Sequence, residues 1–550
     1  MPISPSLSRF TLALAPLNPL VGDIDGNTAL ALAAARRACD EFGAAVVVFP
    51  ELVLSGSVAE DLWLRPELDA RIEQALARLC EARLPACLIV GYPGREDGKR
   101  YNMLACIEGG ELRGVYRKAR LADYRSSDER RYFQPGAPDT LVLKVGAVPL
   151  ALCIGEDLER DDVMTQARAA GARMMVNISA MAYHTKLDQR RRELLRRRAR
   201  EGAMPLLYVN QAGGQDELVF DGAALLVDAQ GEVLAQAPRF AAELLPVEIS
   251  VQNGDCTFPA LPPPLPELSA EAELYAALVL ALRDYVEKNR FVGVALGLSG
   301  GIDSALTLAL AVDALGPARV TALMMPYTYT APMSLDDAEA QARALGVAYH
   351  VLPIAPLMSA CTQTLAPQFS EGLGDITTQN LQARCRGLLL MAWSNQRGLL
   401  ILTTSNKSEM AVGYSTLYGD MAGGFDVLKD VVKLQVYALA RYRNTVAPVI
   451  PERVLTREPS AELAPDQRDA DSLPPYAELD RIVELYVEQE QSLEAIIAAG
   501  FERASVAKVL RMVDRGEYKR RQAPLGVRVS ERGFGRERRY PVTSGWGSGA

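Results

Sequence analysis

The chain has 550 residues, 49% of them apolar and 23% charged, a composition typical of globular domains that bury sizeable cores. At about 150 residues per domain, this length predicts three or four domains, or two large α/β units. The net charge of −9 argues against a general nucleic-acid or membrane-surface binder.

Cysteine and histidine usage limits the chemistry further. Eight cysteines occur without a CxxC pair, which indicates free thiols in a reducing compartment. With only two histidines, His184 and His350, a general base is expected to be Glu, Asp or Lys. The N-terminus lacks a basic segment followed by an apolar core, and no run of about 18 apolar residues occurs. We therefore expect a cytoplasmic protein without a membrane span.

Short apolar strands alternate with helical stretches from the start of the chain. Strands are predicted at Phe10–Leu14 and Ala45–Phe49, on either side of a helix at Asn27–Phe42. Further strands are predicted at Ala86–Gly91, Leu150–Ile154, Met174–Ile178, Leu206–Asn210, Ala223–Val227 and Glu243–Ile249. This alternation predicts an α/β domain over residues 1–250.

A carboxylate, an ammonium group and a thiol lie near predicted strand ends in this domain. Glu51 follows one apolar run, Lys118 lies in the segment YRKARL, and Cys153 lies near the end of a third run, PLALCIG. The set resembles the Glu-Lys-Cys arrangement of the nitrilase, or carbon–nitrogen hydrolase, superfamily over about residues 8–250. The resemblance implies an α-β-β-α sandwich. In that chemistry a thiolate attacks an amide, Glu moves protons and Lys stabilises the oxyanion.

The third strand departs from the family in its register. The family reads Cys-Glu-Asp-Leu directly after this strand, whereas this chain reads GEDL from Gly155, so Gly155 stands at the nucleophile position. Cys153 comes two residues earlier, ~6–7 Å along a strand. That distance exceeds hydrogen-bond reach from a Glu placed to serve the usual position. A β-bulge that moves Cys153 forward is the alternative.

Other positions of the same pocket also depart from the family pattern. The segment NQAGGQDE from Asn210 resembles that of glutaminase domains within this superfamily. By that resemblance Tyr124 would bind glutamine, but Ala122 replaces the family's Pro shortly before it. Met181 replaces a substrate-binding Ser, and Ala182 replaces a Pro. The departures favour a degenerate glutaminase domain, one that no longer releases ammonia from glutamine. Any amide-forming reaction of this chain would then take its nitrogen from free ammonia. An active glutaminase that uses Cys153 stays the alternative.

A linker and a second α/β domain are predicted to follow. The segment Thr257–Pro266 reads TFPALPPPLP, and its prolines predict a linker within residues 251–270. For residues 271–550 we predict a doubly wound parallel sheet. Strands are expected at Val292–Leu298, Arg319–Met325, Ala348–Pro353 and Gly398–Thr403, and helices at Asp336–Leu345 and Leu381–Asn395. The polar segment 456–475 is expected to be a loop over a site.

The residues Ser299–Ser304, SGGIDS, connect the first of these strands to a helix. A strand, a turn of small residues and a helix N-terminus form an anion site, because backbone N–H groups point outward there. Gly300 and Gly301 let the backbone approach a phosphate closely, and Asp303 could hold Mg²⁺ against it. The motif resembles the SGGxDS pyrophosphate loop of the N-type ATP pyrophosphatases, which implies an adenine nucleotide α-hydrolase-like fold.

Several downstream segments resemble those of the NAD synthetases, over about residues 270–540. They include QNLQARCR from Gln379, TTSNKSE from Thr403 and YKRRQ from Tyr518. By that resemblance the ATP-binding residues are Gly297, Leu298, Ser299, Gly300, Gly301, Ile302, Asp303, Ser304, Thr404 and Lys433. The implied deamido-NAD-binding residues are Asn380, Glu409 and Lys519, and the implied Mg²⁺ ligands are Asp303 and Glu409.

These motifs predict ATP-dependent amidation of deamido-NAD through an adenylated intermediate, with release of AMP and pyrophosphate. Mg²⁺ and ATP are the expected cofactor and co-substrate, and the resemblance implies a homo-oligomer with no nucleic-acid or membrane partner. One alternative is an ATP pyrophosphatase that activates another acid, against which the segments at Asn380 and Lys519 argue. Another is a non-catalytic nucleotide sensor, against which Asp303 and Glu409 argue.

Overall fold

The computed structural model describes residues 9–124, 127–145, 148–252, 255–263, 265–369, 371–465 and 467–547, without the side chains of Tyr124, Gln252 and Asp255. The chain forms two compact units. The first comprises residues 1–215 and 219–267, and the second comprises residues 216–218 and 268–550. The domain boundaries drawn from the sequence, at residues 250 and 271, stay a prediction.

The described residues of the first unit form two large mixed sheets, two short two-stranded sheets and four α-helices. Its strands are β1 (Arg9–Leu14), β2 (Ala44–Val48), β3 (Cys87–Glu96), β4 (Lys99–Glu108), β5 (Glu111–Arg117), β6 (Asp123–Tyr124), β7 (Ser127–Asp128), β8 (Leu141–Val145), β9 (Val148–Ile154), β10 (Met174–Ser179), β11 (Leu206–Asn210), β12 (Ala212–Gln215), β13 (Leu218–Asp221), β14 (Ala224–Val227), β15 (Val233–Gln236), β16 (Leu245–Gln252) and β17 (Asp255–Thr257). Its helices are α1 (Ile24–Phe42), α2 (Pro66–Glu81), α3 (Val163–Ala169) and α4 (Leu187–Gly202).

The two sheets pack face to face, with helices on their outer faces. One sheet has the order β17-β16-β1-β2-β3-β4-β5 and the other the order β15-β14-β11-β10-β9-β8. Leu12 and Val48 of the first sheet share a buried cluster with Leu152 and Ile178 of the second. Helices α1 and α2 cover the first sheet, and α3 and α4 cover the second. The predicted α-β-β-α sandwich is therefore confirmed.

Local sequence signals explain where these elements begin and end. The Asp23 carboxylate accepts a hydrogen bond from the Gly26 N–H and caps α1, which ends at Gly43 with φ of 61°. The apolar run AAVVV forms β2, a buried strand paired in parallel with both β1 and β3. The predicted strands of this unit are present with ends shifted by a few residues, but the antiparallel β3–β4–β5 meander was not predicted.

Within the described residues of the second unit, one five-stranded sheet is accompanied by a larger set of helices. Its strands are β18 (Val294–Gly297), β19 (Val320–Met324), β20 (Ala348–Val351), β21 (Leu400–Thr403) and β22 (Phe425–Asp426). Its helices are α5 (Ala270–Lys288), α6 (Ile302–Leu315), α7 (Pro332–Leu345), α8 (Ala355–Leu365), α9 (Asp375–Arg397), α10 (Lys407–Val412), α11 (Lys433–Val446), α12 (Glu452–Thr456), α13 (Tyr476–Val483), α14 (Leu493–Ala498), α15 (Arg503–Arg515) and α16 (Glu517–Arg520). Among the described residues of either unit, no helix is long and apolar enough to cross a membrane.

The sheet of the second unit is parallel, and its strand order indicates where a ligand would bind. The order is β20-β19-β18-β21-β22, and each neighbouring pair is parallel. The chain winds outward from β18 in one direction and resumes at β21 on the other side, so the strand order reverses between β18 and β21. Ligands of doubly wound sheets bind beyond the carboxyl ends of the strands at such a point. The predicted doubly wound domain is confirmed.

Candidate functional sites

A buried lysine is the centre of the candidate site in the first unit. Lys118 follows β5, and its Nζ lies 2.7 Å from Glu51 Oε1, 2.8 Å from Glu129 Oε2 and 2.6 Å from Glu156 Oε2. These three carboxylates lie close enough to one another to hold a cation, and the Lys118 ammonium is the cation among them. The arrangement is a buried ion cluster with more negative than positive groups.

Glu51 is held from several sides in this cluster. Its Oε1 accepts a hydrogen bond from Asn102 Nδ2 at 2.6 Å, and its Oε2 accepts one from the Ala180 N–H at 3.0 Å. Burial raises the pKa of Glu51 to about 7, against the opposing effect of Lys118. A carboxyl with a pKa near neutrality can both accept and donate a proton, as a general base must.

Gly155 faces the same cluster but contributes no side chain. It is the first residue after β9, and its φ of +46° turns the backbone out of the strand. A Cβ placed on Gly155 would lie 2.9 Å from Glu51 Oε2 and 3.1 Å from Lys118 Nζ. The structure therefore brings together the three predicted positions Glu51, Lys118 and Gly155, with position 155 directed at the other two.

Cys153 is directed into a different environment. Its Sγ lies 3.2 Å from Asn177 Nδ2 and 3.5 Å from Met175 Sδ, within the apolar cluster beneath α3 and α4. Burial raises the pKa of the Cys153 thiol, so the thiolate that attacks amides is disfavoured. The strand runs without a register shift where Cys153 pairs with Asn177, so the bulge considered from the sequence is absent from this part of the described chain.

The two remaining pocket positions are described only in part. Tyr124 pairs through its backbone in β6, but its side chain lies outside the described residues, so its glutamine-binding role stays a prediction. Met181 is fixed by Asn210, whose Oδ1 accepts from the Met181 N–H at 2.8 Å and whose Nδ2 donates to the Met181 carbonyl at 3.0 Å.

The candidate site of the second unit is a pocket at the carboxyl ends of β18 and β21. The loop Ser299–Ser304 forms one wall, with hydrogen bonds from Ser304 Oγ to the Gly301 carbonyl at 3.0 Å and between the two serine hydroxyls. Gly300 has φ of +80°, and a Cβ there would lie 2.4 Å from the Ser334 carbonyl oxygen. Only glycine fits this turn, as a phosphate-binding loop requires.

Lys433 joins the two carboxylates predicted to bind a metal ion. Its Nζ lies 2.6 Å from Asp303 Oδ2 and 3.1 Å from Glu409 Oε1, and Asn406 Nδ2 donates to Asp303 Oδ1 at 2.9 Å. Burial raises the pKa of Glu409 to about 8 although Lys433 opposes the shift. Burial also opposes the charge on Lys433, but Asp303 and then Glu409 raise its pKa, so the ammonium stays charged.

The pocket collects most, but not all, of the predicted residues of this unit. Thr404, Glu409 and Lys433 line it together with Gly297, Leu298, Ser299, Gly301, Ile302, Asp303 and Ser304. Two predicted substrate-binding residues make other contacts. Asn380 Oδ1 accepts from Thr416 Oγ1 at 2.8 Å, and Lys519 Nζ donates to the Gly413 and Ser415 carbonyls at 2.7 Å. The binding roles of Asn380 and Lys519 stay predictions.

Six charged residues in the pocket wall were not among the predicted site residues. They are Arg386, Asp420, Arg457, Glu458, Glu462 and Asp469. Burial raises the pKa of Asp420 to about 6. Arg457 donates to the Gly300 carbonyl at 2.7 Å, so the segment predicted as a loop over a site contacts the SGGIDS loop. The motifs around Asp420 and Asp469 are visible in the sequence, but nothing there indicates that both carboxylates face one pocket.

Comparisons with known proteins identify the family of each unit. A family model described as carbon–nitrogen hydrolase matches residues 11–255, and one described as NAD synthase matches residues 274–523. A protein of Acinetobacter baylyi named glutamine-dependent NAD(+) synthetase is 46% identical over 543 residues, or 98% of this chain and 99% of that protein. One of Xanthomonas campestris with the same name is 45% identical over 538 residues, or 97% of each chain.

A solved structure is similar over nearly the whole chain. It is a glutamine-dependent NAD+ synthetase from Acinetobacter baumannii in complex with adenosine diphosphate, 43% identical, with a TM-score of 0.79. The match covers 98% of this chain and 100% of that one.

Proposed function

Because the chain belongs to the NAD synthetase family, with a carbon–nitrogen hydrolase domain ahead of the synthetase domain, we propose that it amidates deamido-NAD with free ammonia rather than with glutamine. One observation carries the choice of ammonia. Position 155 faces Glu51 and Lys118, where a nucleophile would stand, and it is a glycine. Without a thiol at that position, glutamine has no group to form the acyl-enzyme.

The proposed reaction has two steps in the pocket of the second unit. A carboxylate oxygen of deamido-NAD attacks the α-phosphorus of ATP, an O–P bond forms and pyrophosphate leaves. Ammonia then forms the C–N bond, AMP departs, and the amide nitrogen loses a proton. The N–H groups at the start of α6, which the loop Ser299–Ser304 leads into, bind the departing pyrophosphate, and the Lys433 ammonium offsets the charge that develops on it.

The donor set of this pocket fits a bound magnesium ion. Asp303 and Glu409 supply oxygen ligands, and the Lys433 ammonium already lies between these carboxylates, which supports a cation site there. We propose that Asp303 and Glu409 hold Mg²⁺ in the loaded enzyme. When bound, the ion neutralises triphosphate charge.

The nitrogen donor is tested by measuring NAD formation from deamido-NAD and ATP with Mg²⁺, supplied with either ammonium or glutamine. We expect ammonium to support the reaction and glutamine to give only the background rate. Cys153→Ala should leave the ammonium-dependent rate unchanged, because the thiol is buried in the apolar cluster beneath α3 and α4 of the first unit.

The alternative is a glutamine-dependent enzyme, which the names of the relatives favour. Glutamine-dependent synthesis that Cys153→Ala abolishes would establish it and contradict the ammonia proposal. Our proposal also includes a cytoplasmic location and a homo-oligomeric state, which the family resemblance implies. The mass in solution, measured by light scattering, tests the oligomeric state.

A further inference from the structure

Helix α11 begins at the pocket, and its first N–H groups are bound by residues from other helices. The residue before the helix, Val432, provides no side-chain cap. Instead, the Lys433 N–H donates to Ser408 Oγ at 2.9 Å, and the Leu434 N–H donates to Asp480 Oδ2 at 3.0 Å. Two of the donors that a helix start leaves unpaired are thus satisfied by α10 and α13.

Ser408 and Asp480 form one unit with each other. The Ser408 hydroxyl donates to Asp480 Oδ1 at 2.5 Å while it accepts from the Lys433 N–H. Ser408 is 0% exposed and Asp480 6%, so water does not compete for these bonds. A carboxylate at a helix N-terminus is also favoured by the helix dipole.

The other end of Lys433 meets the same helix α13. The Tyr476 ring centroid lies 5.3 Å from Lys433 Nζ, within the range of a cation–π contact. Tyr476 and Asp480 are four residues apart and therefore lie on one face of α13. Helix α13 thus contacts Lys433 in two places. Tyr476 contacts the ammonium directly, and Asp480 reaches the backbone N–H through Ser408.

We propose that Asp480 is a positioning residue for the adenylation step. Through Ser408 and the first turn of α11, it sets where the Lys433 ammonium stands between Asp303 and Glu409. The inference rests on the role of Lys433 proposed above. The lysine side chain is long and flexible, so the backbone of Lys433 must be held in place for Nζ to lie 2.6 Å from Asp303 Oδ2. Misplacing a reacting group by about 1 Å can lower a rate by about 10²-fold.

The test compares two variants that disturb opposite ends of α11. Asp480→Ala removes the cap next to Lys433. Asp313→Ala removes the partner of Arg443 in the last turn, where Arg443 Nε lies 2.6 Å from Asp313 Oδ2. For Asp480→Ala we expect kcat for NAD formation with ammonium to fall about 10-fold, while KM for ATP changes by less than about two-fold. Asp313→Ala should lower the melting temperature and leave kcat unchanged.

A conservative variant separates positioning from general destabilisation. Asp480→Asn keeps an acceptor for the Leu434 N–H and should recover most of kcat. Equal kcat losses for Asp480→Ala and Asp313→Ala, or no loss for either, would overturn the proposal. If Asp480→Ala does not fold, Ser408→Ala decides in its place, because it removes the bond to the Lys433 N–H. Full activity of Lys433→Met would show instead that the proposed role of Lys433 is wrong.

Discussion

Gly155→Cys is expected to create glutamine-hydrolysing activity in the first unit. The new Cβ would lie 2.9 Å from Glu51 Oε2 and 3.1 Å from Lys118 Nζ, so its thiol would have a carboxylate to accept its proton and an ammonium to favour the thiolate. General base assistance contributes about 10²–10⁴-fold to such reactions. We therefore expect glutamate release from glutamine to rise at least ~10²-fold over the parent protein.

Gly155→Ala is the matched control, because it adds the Cβ at φ of +46° without the thiol. The left-handed backbone costs either variant roughly 1–2 kcal/mol, and the flexible ends of Glu51 and Lys118 must shift slightly. The double variant Gly155→Cys with Met181→Ser should have a lower KM for glutamine than Gly155→Cys alone. If Gly155→Cys releases no more glutamate than Gly155→Ala, position 155 is not where a nucleophile acts.

Asp426→Asn is expected to stabilise the second unit at alkaline pH. Asp426 is 1% exposed at the end of β22, and neither carboxylate oxygen accepts a hydrogen bond of normal length from the described residues. The Lys429 ammonium, and then Thr403 and the Leu428 N–H, favour the charged form, but burial opposes it more strongly. Burial raises the pKa of Asp426 from 3.8 to about 7, so ionisation of this side chain opposes folding.

The sign and pH window follow from proton linkage. Because the folded state holds the proton more tightly, the contribution of Asp426 to stability is greatest below pH 3.8 and is lost as the pH rises to about 7. A shift of about three pKa units corresponds to about 4 kcal/mol. Asp426→Asn should therefore raise the free energy of unfolding by up to about 4 kcal/mol at pH 8, and by much less at pH 4.

A neighbouring aspartate provides the control for this prediction, since its environment is the opposite. Asp430 Oδ1 lies 2.8 Å from Lys407 Nζ, and its Oδ2 accepts from the Ser530 N–H at 2.7 Å. Lys407 lowers the pKa of Asp430 despite its burial. Urea unfolding at pH 8 should show destabilisation for Asp430→Asn and stabilisation for Asp426→Asn. A destabilised Asp426→Asn at pH 8 would contradict the assignment of Asp426 as a buried carboxylate whose ionisation opposes folding.

The sheets and helices that make up both folds could be predicted from the sequence, because apolar runs that alternate with helical stretches mark the segments that are buried. Apolar runs such as Leu206–Asn210 form the strands they predict. The strand β4 was missed although its run Met103–Ile107 is apolar and buried. The strand β5 was missed because it is mostly polar and has only one buried residue, so it carries no apolar run. The arginine-rich helix α4 shows a further limit. Its charges suggest a solvated or oligomer-facing helix, but Arg191 is buried against Asp221 and Arg198 donates to the Leu158 carbonyl. These two arginines are buried because they pair with residues far away in the sequence, and a local sequence pattern gives no information about such partners.

The two sites differ in how far the sequence could define them. The SGGIDS loop is local, so its residues could be named together from one segment. The direction of Cys153 and Gly155 depends on the end of β9, where a positive φ replaces strand alternation. Spacing alone placed Cys153 and Gly155 on one face, whereas the structure puts Cys153 in the helix-covered cluster. Lys433 was named through the family resemblance, whereas Asp420 and Asp469 reach the same pocket only through tertiary packing and were not named.

The capping of α11 by Ser408 and Asp480 also has a consequence for motion. Amide protons in the first turn of a helix ordinarily exchange with solvent quickly, because no carbonyl of the helix protects them. Those of Lys433 and Leu434 are bonded to buried side chains of two other helices. Their exchange must therefore wait for α10, α11 and α13 to separate locally. In deuterium labelling, the exchange rates of these two amide protons would measure how often the three helices separate at the pocket, and the measurement needs no catalytic turnover.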